Sequence, residues 1–398
     1  MSSGYSRGAG PLAGLRVLDL SRVFAGPVAG RILSDLGADV VKVEPPDGDI
    51  SRNWGQKIAG LSTYFVQQNV GKRNICVDLN HPDGVAIIRE LALVADIVIE
   101  NFRPGVLATF GLDWAGLSAI NPRLLMLSIS GFGQEGPESR RAAYASIAHA
   151  EMGLIARGPE LDGAGMHDVT FSAADVTSGL HGVIGILAAL RSRDATGVGQ
   201  HLDIAMVDAI GFSDDAIIFN LDDRKAVATN GEVWDAVDGP IVLAGGFRWV
   251  WSRVNGVLGV VDPAPPDCDL ETKIQLRHQA TTDFFCSFAD RAALCAALDR
   301  ANLAWGVVKS RAGIFDSPTI KLRNSVVQVD NRDGGTRPIF QSPYRFSTLG
   351  SGVHGSPRHR GEDNAGVLVD WLGSSPSDAE DRANSAAMLT DRDLTKEQ

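Results

Sequence analysis

Residues 15–43, LRVLDLSRVFAGPVAGRILSDLGADVVKV, decide the fold class. Residues 15–20 are a short apolar run with β-branched content, the composition of a buried strand. Pro27 opens a helical stretch to Leu36, where its fixed φ and missing N–H suit a first helical turn. Residues 38–43, ADVVKV, return to a buried-strand composition. The alternation continues outward. Residues 73–79 read as a third strand. Residues 82–94 place Val85, Ile88, Leu91 and Leu93 at helical spacing, with Asn80 as the expected cap. Residues 96–99 and 123–129 read as further strands. Strands alternating with helices of this length imply βαβ units and a mostly parallel sheet. Residues 176–191, VTSGLHGVIGILAALR, predict a helix rich in small and apolar residues and buried on several faces.

The chain has 398 residues, which suggests two or three domains. The texture becomes polar and turn-rich after about residue 225. Two amphipathic helices near 282–301 predict a separate small domain. The expected division is a first part of a large domain at 1–225, a small domain at 226–325, and a return to the large domain at 326–398 with a polar tail from about 374. A hydrophobic share of 44% and a charged share of 21% are those of a soluble globular protein. No uninterrupted apolar run reaches the roughly 18 residues of a membrane helix, and the N-terminus lacks the apolar core of a secretion signal. Cys76, Cys268, Cys286 and Cys295 are scattered without C-x-x-C spacing, as in a reducing cytoplasm. A net charge of −11 argues against nucleic acid as a partner. A small anionic ligand needs only a local gathering of Lys and Arg.

Gly131-Phe132-Gly133-Gln134-Glu135-Gly136 matches G-x-G-x-x-G, but Pro137 and a charged ESRR segment follow instead of a helix, and no strand-terminal acid stands at dinucleotide spacing. Nicotinamide and flavin binding are therefore not expected. The loop, Gly133 included, reads as a turn at the C-terminal sheet edge, where ligands of open α/β folds bind. Asp175 stands where the next helix begins. As an N-cap it would need no other role. The same position lets the positive end of the helix dipole hold its carboxylate ionised, ready to attack a thioester carbonyl. Small neighbours, Ala173, Ala174, Ser178 and Gly179 among them, would admit a bulky acyl group. Lys72-Arg73 is either a solvated pair or a grip on ligand phosphates. The turns at 22–27 and 101–105 follow strands, the usual place for an anionic ligand. The eight histidines show no metal-binding spacing, and no G-x-S-x-G elbow is present.

Read together, these blocks resemble the class III CoA-transferases, the CaiB/BaiF type. The similarity runs in order through residues 14–49, 71–79, GKRNICVDL, 95–113, ADIVIENFRPGVLATFGLD, and 121–137. It continues through 174–209, 301–326 and 342–373, so it covers about residues 11–373. The resemblance implies a large Rossmann-like CoA-binding α/β domain with a smaller α+β domain, in a homodimer whose chains interlock. It implies acyl-CoA and a small carboxylic acid as substrates, with no metal, nicotinamide or flavin. The family nucleophile falls on Asp175, which would pass through an aspartyl–acyl anhydride and an aspartyl–CoA thioester. The family's CoA contacts fall on Val23, Phe24, Ala25, Leu79, Asn80, Asn101, Phe102, Arg103, Arg141 and Tyr144, with Lys72 and Arg73 beside them.

The chain departs from the family pattern in three places. Ala145 stands where an acid is usual, with the imidazole of His149 close by. Thr109 stands at a frequent phosphate-binding Arg. The glycine-rich flap reduces to Gly245-Gly246. His149, Gly133, Gly245 and Gly246 are thus candidates for the substrate pocket. Two other functions remain open at this point. An α-methylacyl-CoA racemase shares the fold but needs two proton-transfer groups; Tyr144 replaces its histidine, and His149, about one helical turn away, is the candidate substitute. A non-catalytic acyl-CoA-binding protein would explain the lost acid but not the retained Asp175.

Overall fold

The computed structural model describes residues 10–157, 165–217 and 231–391. It divides into two compact units, one of residues 1–214 with 322–398 and one of 215–321. The boundary expected at 225–226 and the end of the tail, 392–398, lie outside the described residues.

The first unit is built on six parallel strands: β1 (Arg16–Asp19), β2 (Asp39–Glu44), β5 (Arg73–Cys76), β6 (Ile97–Glu100), β7 (Leu125–Ser130) and β8 (Gln200–Ala205). A two-residue hairpin, β3 (Lys57–Ile58) and β4 (Leu61–Ser62), precedes β5. The sheet order is β5-β2-β1-β6-β7-β8, so the direction of winding reverses between β1 and β6. The parallel α/β reading holds. β8 escaped the sequence reading because QHLDIA is an edge strand with half-exposed side chains and carries no apolar run.

Alternation along the strands makes two apolar faces. Val17, Val40, Ile97 and Leu125 face one core with helices α1 (Ala25–Asp35) and α6 (Ala173–Thr196). Leu18, Val41, Val98 and Met126 face the other, with α3 (Pro82–Val94) and the helix Asn364–Leu372 through Val367, Leu368 and Trp371. Three shorter helices, α2 (Thr63–Asn69), α4 (Trp114–Ser118) and α5 (Ala145–Glu151), fill the connections, and α7 (Met206–Ser213) follows β8.

Two local expectations are corrected, and an open one is decided. The cap of α3 is His81, whose Nδ1 accepts the Asp83 N–H at 3.2 Å, and not Asn80. Of the two readings open for the polar tail from about 374, one loose helix or no order, the described part has the helix, Pro376–Ala383, and Met388 bridges to Val77. The third concerns α6, which starts at Ala173 and puts Asp175 inside its first turn. This helix is also long and apolar enough to cross a bilayer by length and composition alone. In the fold its small residues serve close packing. A Cβ on Gly179 would lie 2.4 Å from Val28 Cγ1, and one on Gly182 would lie 2.8 Å from Leu127 Cδ2.

The second unit has its own antiparallel sheet, Glu232–Trp234, Ile241–Leu243 and Trp305–Val307, with helices Phe247–Gly256, Leu270–Cys286 and Arg291–Arg300. Its core gathers Trp234, Ile241, Leu243, Val250, Phe285 and Leu298.

Candidate active site

In open parallel sheets, ligands bind beyond the carboxyl ends of the strands where the winding reverses. Here that point lies between the turns that follow β1 and β6. Asn101 latches the two turns together: its Oδ1 accepts the Arg22 N–H and its Nδ2 donates to the Arg22 carbonyl, both at 2.8 Å. Val23, next in the chain, is held at φ +70°, a left-handed conformation that a β-branched residue rarely adopts. The Asp49 carboxylate fixes it by accepting the Val23 N–H at 3.0 Å.

A cleft of about 730 Å³ opens above this point, within the range of small-ligand sites. Its walls are residues 20–22, the end of β2 through Pro46, residues 77–80, and Phe102, Arg103 and Phe110. A narrower extension of about 110 Å³ shares Arg22, Phe102 and Arg103 with it and runs past Val23, Asn101, Arg141 and Tyr144 to Asp175. Arg22 lies over the Phe102 ring at 5.7 Å. Arg141 reaches Glu138 and Glu151 at 2.8 and 2.5 Å.

Asp175 is the third residue of α6. It faces the start of α1, whose Ala25 N–H donates to its carboxylate. Burial pushes the carboxyl up to about 6, and the Ala25 N–H pulls the other way. The group is therefore ionised at neutral pH but poorly solvated, which favours nucleophilic attack. Ser172, at the N-cap, makes no side-chain cap. The cap comes from α5 instead: the buried His149 ring accepts the Ala174 N–H through Nε2 at 3.1 Å and bonds Asp168 Oδ1 through Nδ1 at 2.8 Å. A cap supplied from outside the helix lets α6 begin before Asp175, which local capping rules could not anticipate.

The family model described as CoA-transferase family III matches residues 12–364. The chain belongs to this family. It is 32% identical over 382 residues to the succinate–glutarate CoA-transferase of Agrobacterium fabrum, covering 90% of this chain and 95% of the relative. It is also 32% identical to the succinyl-CoA–L-malate CoA-transferase beta subunit of Chloroflexus aurantiacus, covering 91% and 94%. Among solved structures, a CaiB/BaiF family protein from Brucella suis superposes with a TM-score of 0.77 at 30% identity, covering 91% of this chain and all of that one. The enzyme is thus a family III CoA-transferase, and its substrates are CoA thioesters.

Within this CoA-transferase, Val23, Leu79, Asn80, Asn101, Phe102, Arg103, Arg141, Tyr144 and Asp175 line the cleft and its extension. Ala25 stands behind Asp175 as a donor, and Phe24 packs edge-on against Tyr64 at 5.9 Å. Lys72 and Arg73 are elsewhere. The Lys72 ammonium is buried on Asp19, the Pro27 carbonyl and Asn69, at 2.8, 2.9 and 2.9 Å. Arg73 clamps Asp39 and Asp370, the latter on the helix Asn364–Leu372. Both side chains hold the fold and leave no grip for ligand phosphates. Gly133 sits at φ +84° beside Asp203, and Gly245 and Gly246 precede the helix Phe247–Gly256 of the second unit. Among the described residues no three His, Cys, Asp or Glu side chains form a metal-binding group.

The sequence reading missed several residues here. Asp49, which pins Val23, carries no local signal. Glu100 ends β6, where burial pushes its carboxyl up to about 7, and it accepts the Phe102 N–H at 2.8 Å. Tyr64 packs with Phe24 and Trp54, and burial followed by the nearby Asp175 charge pushes its hydroxyl up to about 12.

Proposed function

We propose that the enzyme moves CoA between carboxylic acids through Asp175, with CoA in the cleft at the β1–β6 reversal. One Asp175 oxygen attacks the acyl-CoA carbonyl. The C–S bond breaks, leaving an aspartyl–acyl anhydride and CoA thiolate. The thiolate attacks the aspartyl carbonyl and expels the donor acid as a carboxylate, giving an aspartyl–CoA thioester. The acceptor carboxylate attacks that thioester, and the thiolate leaves. The thiolate then attacks the acceptor's acyl carbon and restores free Asp175. The observation that carries this reading is the half-buried carboxylate with its pKa near 6 on the wall of the inner cleft, receiving the Ala25 N–H.

The acceptor class we propose is a short dicarboxylic acid. Relatives named for succinate, glutarate and malate support it, as do Arg22 and Arg103 on the cleft walls, which suit a second carboxylate. We also propose an interlocked homodimer. Its support is the exposed apolar stripe Leu180, Ile184, Leu187 and Phe212 on α6 and α7. Racemase chemistry draws no support, because both His149 nitrogens are engaged within the protein.

Hydroxylamine added during turnover tests the pathway. It converts an acylated aspartate to a hydroxamate and releases CoA or the acid. Peptide mapping is expected to find the hydroxamate on Asp175, and modification at another residue would remove the reading. A panel of carboxylic acids incubated with succinyl-CoA and read by mass spectrometry tests the acceptor class.

A further inference from the structure

We infer that His149 is a positioning residue: as a neutral imidazole protonated on Nδ1, it caps α6 and fixes the turn that carries Asp175. This rests on the reading of Asp175 as the nucleophile. The Ala174 amide can only donate, so the ring nitrogen 3.1 Å away must present a lone pair. That nitrogen is Nε2, and the ring proton is left on Nδ1, which donates to Asp168 Oδ1 at 2.8 Å. The ring is 1% exposed, so it exchanges no proton with substrate. Ser172 leaves its capping position unused, and the imidazole replaces it from 25 residues away. The charged groups that face the ring are the Asp168 and Asp175 carboxylates. The contact couples α5, the segment around Asp168 and the first turn of α6. The Asp175 carboxylate is therefore aimed by an element outside its own helix, where a misplacement of about 1 Å costs up to about 100-fold in rate.

The inference predicts that His149→Leu, which fills the space without an acceptor, lowers kcat by about 10–100-fold while KM for acyl-CoA changes little. His149→Gln, whose carbonyl can accept the Ala174 N–H and whose amide can donate to Asp168, is expected to recover most of kcat. Nitrogen-15 NMR of histidine-labelled wild-type protein is expected to find Nε2 unprotonated. Wild-type kcat in His149→Leu, a Gln variant no better than Leu, or a protonated Nε2 would each overturn the inference. If the Leu variant does not fold, the Gln variant and the wild-type spectrum still decide. Asp175→Ala is assayed in parallel. Full transfer there defeats the nucleophile reading, whereas an inert Asp175→Ala beside a fully active His149→Leu defeats the positioning inference alone.

Discussion

Asp175 is held in a state that costs stability. Its carboxyl titrates near 6 in the fold against 3.8 for the free group, so the folded protein binds the proton more tightly than the unfolded chain. The sign follows from linkage. The stability due to this proton is fully present below the unfolded value and is lost as pH rises through about 6. Asp175→Asn is therefore expected to raise stability at pH 8 by roughly 1–2 kcal/mol, allowing for partial exposure. The gain should vanish near pH 4 in urea titrations. The same variant is expected to lose transfer activity by more than about 10³-fold. In the wild type, kcat/KM should fall as pH drops through about 6, because attack needs the ionised form. Lys72 differs in kind. Burial lowers its ammonium to about 8, and it is the near partner of the buried Asp19 carboxylate, which its charge holds below the usual range despite burial. Lys72→Met should cost about 3 kcal/mol in urea unfolding, the penalty of an unpaired buried charge. The salt dependence of KM for acyl-CoA should not change. A change there would restore a phosphate-binding role to Lys72.

At the scale of elements, the site depends on two helix starts brought together. The N-terminus of α1 donates Ala25 N–H to a side chain in the first turn of α6. Gly179 sets the distance, since a Cβ there would lie 2.8 Å from the Ala25 carbonyl and 2.4 Å from Val28 Cγ1. Gly179→Val is expected to cost about 1–3 kcal/mol by overpacking and to lower kcat more than KM, measured by thermal unfolding and steady-state kinetics. Unchanged kcat would mean that the α1–α6 contact does not place the nucleophile. The turns after β1 and β6 form a second joint. Asn101 was expected as a ligand contact and lines the cleft, yet both of its amide atoms are also spent on Arg22.

At the scale of the molecule, the exposed stripe on α6 and α7 tests the assembly. Ile184 is 61% exposed and Phe212 85% exposed in the single chain. Glutamate at both positions is expected to convert a sedimenting dimer to monomer, and an unchanged sedimentation coefficient would exclude this stripe from the interface. The parallel α/β architecture was legible in the sequence because a strand buried on both faces carries apolar runs, and β1, β2, β6 and β7 do through Val17-Leu18, Val40-Val41, Ile97 to Ile99 and Leu125 to Leu127. Asp175, whose role as nucleophile is proposed here, was singled out through its small neighbours and nearby helix, reinforced by long blocks of family resemblance. The roles of Lys72, Arg73, His149, Asp49 and Glu100 were not legible. A charged or imidazole side chain reads the same in sequence whether it meets a ligand or a partner in the fold. Local composition fixes which segments become strands and helices, because burial and backbone propensity act over a few residues. Only the closed fold decides which polar groups neutralise one another, because Lys72 meets Asp19 across 53 residues and Arg73 meets Asp370 across 297.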